Sequence, residues 1–141
     1  MLAENLSEFA DYISINVSSP NTPNLREFQK KENLEKVINF VKEGIATSKT
    51  LNKKLPIFLK IAPDINKQTL NSIIETAHTQ KIFGLIISNT TLDRDKNLKS
   101  KKSIELGGLS GKPLFKKSTE ILSQANKIIK NNNYKLFLIA A

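Results

Sequence analysis

The sequence predicts an α/β fold built on a parallel sheet, and three observations lead there. Four short runs rich in apolar and β-branched residues, Tyr12 to Val17, Pro56 to Ile61, Phe83 to Ser88 and Lys135 to Ile139, read as strands. The stretches between them are longer, and their apolar residues recur every three or four positions, the period of a helix with one buried face. Polar segments without that period follow the first three runs: Ser18 to Glu32, Ala62 to Ile65 and Asn89 to Gly111. The order is β-α-β-α, and strands apolar nearly throughout suit a sheet covered on both faces.

Each element has its own justification. After the first strand, Leu34, Val37, Ile38, Val41 and Ile45 fall on one helical face, with Glu35, Lys36, Lys42 and Glu43 off it. Asn66 is placed to cap the next helix, whose stripe is Leu70, Ile73, Ile74 and Ala77. Ser118, Ile121, Leu122, Ala125, Ile128 and Ile129 mark a third helix, which Asn131-Asn132-Asn133 ends. A (β/α)8 barrel needs about 30 residues per unit and about 250 in all, so 141 residues hold four or five units. Half a barrel and a small doubly wound sheet of four strands both fit, because periodicity does not separate them. One domain spanning 1–141 is expected.

Composition excludes several classes. With 39% hydrophobic and 25% charged residues and a mean hydropathy of -0.29, the chain is neither disordered nor fibrous. No apolar run approaches the roughly 20 residues that span a bilayer, and the start lacks the basic and apolar regions of a signal peptide. It therefore reads as a cytoplasmic segment. Zero Cys removes disulfides, thiolate metal sites and thiol catalysis together, and no metal is assigned. The net charge of +9 invites a nucleic-acid reading. Against it, the basic residues are 20 Lys and only 2 Arg, scattered among Asn and Ile in the manner of an AT-rich genome. Arg is the bidentate reader of phosphate and guanine, and no Trp or aromatic platform interleaves with the charge, so no nucleic-acid partner is expected.

In parallel α/β folds ligands bind beyond the carboxyl ends of the strands, so the three irregular segments are where chemistry is sought. The first, Asn16-Val17-Ser18-Ser19-Pro20-Asn21-Thr22-Pro23-Asn24-Leu25-Arg26, concentrates amides and hydroxyls on a backbone stiffened by proline. By composition alone it is also an ordinary turn-rich connection. A hydrolase triad is not expected, because Gly-x-Ser-x-Gly is absent and the sole His, His78, lies on a helix facing away. The second strand carries a lone Lys60 near its end, a place for solvent or for an anionic ligand. Ser88-Asn89-Thr90-Thr91 closes the third strand, and Gly107-Gly108-Leu109-Ser110-Gly111 leads into a helix, with a backbone that can approach a phosphate or flavin. The Lys-rich loop 93–105 has no apolar period and is expected to be loosely packed.

Taken together, Asn-Val-Ser-Ser-Pro-Asn-Thr-Pro at 16–23, Leu-Lys-Ile-Ala-Pro-Asp at 59–64, Ser-Asn-Thr-Thr at 88–91 and Gly-Gly-Leu-Ser-Gly-Lys-Pro-Leu at 107–114 closely resemble dihydroorotate dehydrogenase, in that family's order and spacing. The resemblance runs from Ala10 onwards. It is most similar to the class 2, quinone-dependent, FMN-containing branch of this (β/α)8-barrel family, peripheral to the membrane. It implies oxidation of dihydroorotate to orotate in pyrimidine biosynthesis, with a proton leaving C5 and a hydride passing from C6 to the flavin. Ser19 matches the general base; class 1 members carry Cys there, so Ser19 assigns the class. By the same matching Asn16 touches flavin and substrate, Asn21, Asn89 and Thr90 bind substrate, and Lys60, Ser88 and Gly111 bind FMN.

Two departures accompany the match. Asn24 stands where the family has Gly, a mild change because Asn tolerates positive φ. The chain is also much shorter than family members, so it reads as their central part: an internal fragment of about four consecutive βα units, expected to be inactive alone. The alternative reading is an inactive remnant or an assembly piece, self-associating or joining a complementing fragment through open barrel edges.

Overall fold

The computed structural model describes residues 2–48 and 54–141. Strands β1 (Ile13–Asn16), β2 (Ile57–Ile61), β3 (Gly84–Ile87) and β4 (Phe137–Ala140) form one parallel sheet in the order β1-β2-β3-β4. Helices α2 (Lys31–Ala46), α3 (Lys67–Thr79) and α4 (Lys112–Asn131) connect them, and a short α1 (Leu2–Leu6) precedes β1 and packs on α2. Strand order that follows chain order, with every crossover helix on the same side, is the arrangement of consecutive (β/α)8 units. A doubly wound sheet reverses its strand order partway across. The fold is therefore α/β, a partial barrel of four βα units.

The core lies between the sheet and these helices. Register brings Ile15, Leu59, Leu85 and Leu138 into one row across the sheet, with Ile57, Ile61 and Ile87 on the same face. Against them pack Leu34 and Ile38 of α2, Leu70, Ile73, Ile74 and Ala77 of α3, and Ile121, Ala125 and Ile129 of α4, the stripes read from the sequence. Nearly all are inaccessible to solvent, and each Leu or Ile so buried contributes about 1.5–3 kcal/mol. Asn66 caps α3, its Oδ1 accepting the Thr69 N–H at 2.8 Å. At the end of α4, Asn133 takes φ +55, which closes the helix as the Asn run predicts.

Alternate residues, Ser14, Asn16, Phe58, Lys60, Ile86, Phe137 and Ile139, turn to a second face over which no described helix lies. Only β3 is buried throughout, while β4, an edge strand, leaves Phe137 62% exposed. The apolar character of these strands reports what barrels place inside their ring of strands. Toward the amino end of this face, Tyr12, Phe58, Phe83 and Phe137 form a chain of ring contacts with centroids 4.7–5.6 Å apart. Gly84 makes room for it: a Cβ there would collide with the Phe137 carbonyl and stand 2.9 Å from the Phe58 ring. His78 lies near the carboxyl end of α3, away from the strand-end loops, its ring stacked on Tyr134.

Among the described residues, no helix is long and apolar enough to cross a membrane.

Candidate active site

Every residue singled out by the sequence lies at the carboxyl ends of β1, β2 and β3 or on the loops that follow them. Asn16 ends β1 and pairs across the sheet with Lys60, which pairs in turn with Ile86, so amide and cation sit side by side on the uncovered face. Ser88, Asn89 and Thr90 follow β3, whose end is marked by a cis Ile87–Ser88 peptide. Ser19 and Asn21 lie on the loop after β1, where the Asn21 N–H donates to Ser19 Oγ at 3.2 Å. That donor favours negative charge on the Ser19 oxygen. Gly111 precedes α4 with φ +75, and a Cβ there would meet nothing within 4 Å.

Two groupings result. In the first, Asn16 Oδ1 accepts from the Ser18 N–H (3.2 Å), from Ser18 Oγ (2.8 Å) and from Asn89 Nδ2 (3.4 Å). Asn89 Nδ2 also donates to Ser18 Oγ at 3.0 Å, while its Oδ1 accepts the Thr90 N–H at 2.8 Å. Loops far apart in the chain thus share one amide network, and Asn16 Nδ2 has no partner among the described residues. In the second, Lys60, Ser88, Asn89, Thr90, Ser110 and Gly111 line an open cleft of about 640 Å³. Lys60 is half-buried and has neither ion pair nor hydrogen bond among the described residues, so its charge is available to whatever enters the cleft.

The Gly-rich segment does more than line the cleft. Thr91 and Leu109 exchange both backbone hydrogen bonds, and Gly108 lies so close that a Cβ would collide with Thr90 Oγ1 and stand 3.0 Å from Pro20. Gly107, at φ +118, sits over Asn21. The segment therefore holds the first and third loops against each other. Asn24 takes φ +58, the left-handed conformation expected where the family has Gly.

Sequence reasoning missed the residues beneath this surface. Arg26 Nε donates to the Ser18 carbonyl (3.2 Å), Nη1 to Asp64 Oδ2 (2.8 Å) and Nη2 to the Thr90 carbonyl (3.1 Å). Asp64 also accepts from Lys117 Nζ (2.6 Å), the Leu92 N–H (2.9 Å) and the Thr91 hydroxyl. Burial alone would raise the Asp64 pKa, but the donors Lys117, Thr91, Leu92 and Arg26 outweigh it and hold the carboxyl at about 2. For Lys117, the two carboxylates it contacts, Asp64 and Asp93, likewise overcome burial and raise its pKa. Gln29 is buried and accepts the Ala62 N–H at 3.0 Å. Loop 93–105 exposes Ile104 and neighbouring Leu106 almost fully, as loose packing predicts. Its backbone is nonetheless gathered around Arg94, which donates to carbonyls from Thr91 to Gly107, the last at 2.7 Å. One sequence signal marks both anchors: they are the only two Arg in a Lys-rich chain.

Comparison with known proteins agrees with this geometry. A family model described as dihydroorotate dehydrogenase matches residues 1–139. A dihydroorotate dehydrogenase (quinone) of Christiangramia forsetii is 48% identical over 119 residues, which cover 84% of this chain and 34% of the relative. The protein of the same name from Agrobacterium fabrum is 44% identical over 124 residues, covering 87% and 34%. The crystal structure of the Eimeria tenella DHODH in complex with ferulenol superposes with a TM-score of 0.86 at 31% identity, covering 99% of this chain and 41% of that one. The chain spans about a third of the length of the curated relatives it matches. A family match along nearly its whole length, on a sheet with the strand order and helix placement of a barrel segment, means that this chain belongs to the dihydroorotate dehydrogenase family.

Proposed function

We propose that residues 1–141 form the central part of an FMN-binding barrel that oxidises dihydroorotate to orotate and passes the electrons to a quinone. The observation that carries this reading is the convergence of Asn16, Ser18 and Asn89 in one hydrogen-bonded network beside the cleft of Lys60, Ser88 and Gly111. The donor set suits a flavin: a cation unpaired among the described residues, a hydroxyl, and a glycine whose missing Cβ leaves open space at the start of a long helix. FMN held there supplies the acceptor for a hydride leaving C6 of the substrate.

The chain's own residues do the rest. Ser19 Oγ, its own hydroxyl proton passed to solvent, takes the C5 proton, and as the C5–H and C6–H bonds break the ring gains its C5=C6 double bond; the Asn21 N–H favours the alkoxide that makes the oxygen a base. Asn16, Asn21, Asn89 and Thr90 orient the planar ring by its carbonyl and N–H groups. Lys60 sets a fixed positive charge in the cleft, which would favour the negative charge of a reduced flavin held there. Anaerobic mixing of the flavin-loaded protein, completed by the further βα units of its barrel, with dihydroorotate tests the whole: flavin absorbance bleaches and orotate forms. A completed, flavin-loaded barrel that leaves dihydroorotate unchanged rejects the assignment.

A second reading, an assembly segment that works only with further βα units, is favoured by the open edges of β1 and β4 and by the uncovered aromatic face. Its partner is a complementing barrel segment or a second copy. Sedimentation of the chain over a range of concentrations separates a monomer from both.

A further inference from the structure

In a chain with 20 Lys, the two Arg both sit at the strand-end loops and both direct their guanidinium groups at backbone carbonyls. A lysine ammonium is a point charge on a flexible stem, whereas a guanidinium is a rigid planar fork that holds several acceptors in fixed relation. Arg26 uses three edges of that fork on three loops: Ser18 after β1, Asp64 after β2 and Thr90 after β3. The Ser18 carbonyl belongs to the peptide unit that leads into Ser19, and the Thr90 carbonyl follows the Asn89-Thr90 pair. Asp64 accepts from one nitrogen of the fork and extends the tie through Leu92 and Lys117. None of these residues belongs to the hydrophobic core.

We propose that Arg26, held by Asp64, is a positioning residue that fixes the separation between the Ser19 hydroxyl on one side of the site and Asn89 and Thr90 on the other. This rests on the reading of Ser19 as base and Asn89 and Thr90 as substrate ligands. Asn16, Ser18 and Asn89 bond one another without Arg26, so substrate contacts survive its loss while the alignment of base and C5 does not. The signature is a fall in kcat with little change in KM.

The test uses Arg26→Ala and Arg26→Lys, the latter keeping a charge for Asp64 without the fork. In the chain without ligand, amide exchange at Asn21 and Thr90 is expected to rise about tenfold or more in both variants, with Leu70 and Ile74 of α3 unchanged. In the flavin-loaded protein, kcat is expected to fall about 10²-fold with KM within a few-fold, and millimolar guanidinium, but not methylammonium, to restore part of it in Arg26→Ala. Unchanged exchange at the two loops in both variants overturns the proposal whatever the activity, and so does an Arg26→Lys protein with parental kcat. If Arg26→Ala fails to fold, Arg26→Lys decides by the same readings. If exchange rises at both loops but the parent does not oxidise dihydroorotate, the tie between the loops stands and the functional assignment falls.

Discussion

On the helix side of the sheet Leu59, Ile61 and Leu85 are fully buried beneath α2, α3 and α4, whereas the strand neighbours Phe58, Lys60 and Ile86 turn to a side that no described helix covers. The two faces differ by one residue of register, because successive side chains alternate. On the helix side the middle of the sheet is filled by apolar side chains from all three helices. The other side carries Asn16 and Lys60 in the same row as Ile86, and aromatic rings in the row before. The face that secures the fold and the face that offers chemistry are thus separable by mutation.

The largest expected effect falls on the helix side. Leu59→Ala removes a side chain with no solvent exposure and is expected to cost about 2–5 kcal/mol in urea unfolding. Phe137→Ala, on the open side and 62% exposed, is expected to cost about 0.5 kcal/mol or less at low protein concentration. Comparable losses from both would mean that the open face is covered in solution, and the Phe137→Ala cost would then grow with protein concentration.

Ser19→Ala tests the other side. Positioned bases contribute about 10²- to 10⁴-fold, so dihydroorotate oxidation by the completed, flavin-loaded barrel should slow by at least the lower figure while flavin content and the urea midpoint hold. A variant that turns over at the parental rate removes Ser19 as base. Smaller is the effect of Asn66→Ala, which deletes the α3 cap and is expected to cost about 1 kcal/mol of stability without touching the strand-end loops.

The last effect is set by pH. Asp64 is held at about 2, below its ordinary value of 3.8, so the stability it adds is complete above that ordinary value and disappears as pH falls through about 2. Between pH 5 and 2 the parent should lose this stability progressively, and Asp64→Asn should lack that component of the acid profile. Superimposable acid profiles would show that Asp64 carries no such linkage.

How much of this was legible in the sequence depends on how local each interaction is. Strands, stripes and the Asn66 cap are written within a few residues of one another; the strands return with ends shifted by no more than two positions, while α4 starts at Lys112, well before Ser118, the first residue of its stripe. Helix α1 has only five residues, too few to show a period. The motif residues share one end of the sheet because strand-end loops in parallel folds must. Arg26 and Asp64 lie inside the strand-end motifs, but the Arg26 bonds reach 38 and 64 residues along the chain and no spacing rule announces them. Ser18 was passed over beside Ser19, although it is the buried serine, its hydroxyl locked between Asn16 and Asn89. The apolar strand faces show what each residue requires, without recording which chain segment meets the requirement.

The strict succession of strands also bears on how the molecule comes together. Each strand pairs only with the one before and the one after it, so no pairing has to wait for a distant part of the chain. The crossover from β2 through α3 to β3 is the shortest of the three, and it ends in the one strand buried along its whole length. Closing a shorter loop loses less chain entropy, which makes β2-α3-β3 the natural nucleus, with β1 and β4 added outward on either side. Mutations in α3 should accordingly slow folding, while those in β4 should mainly hasten unfolding.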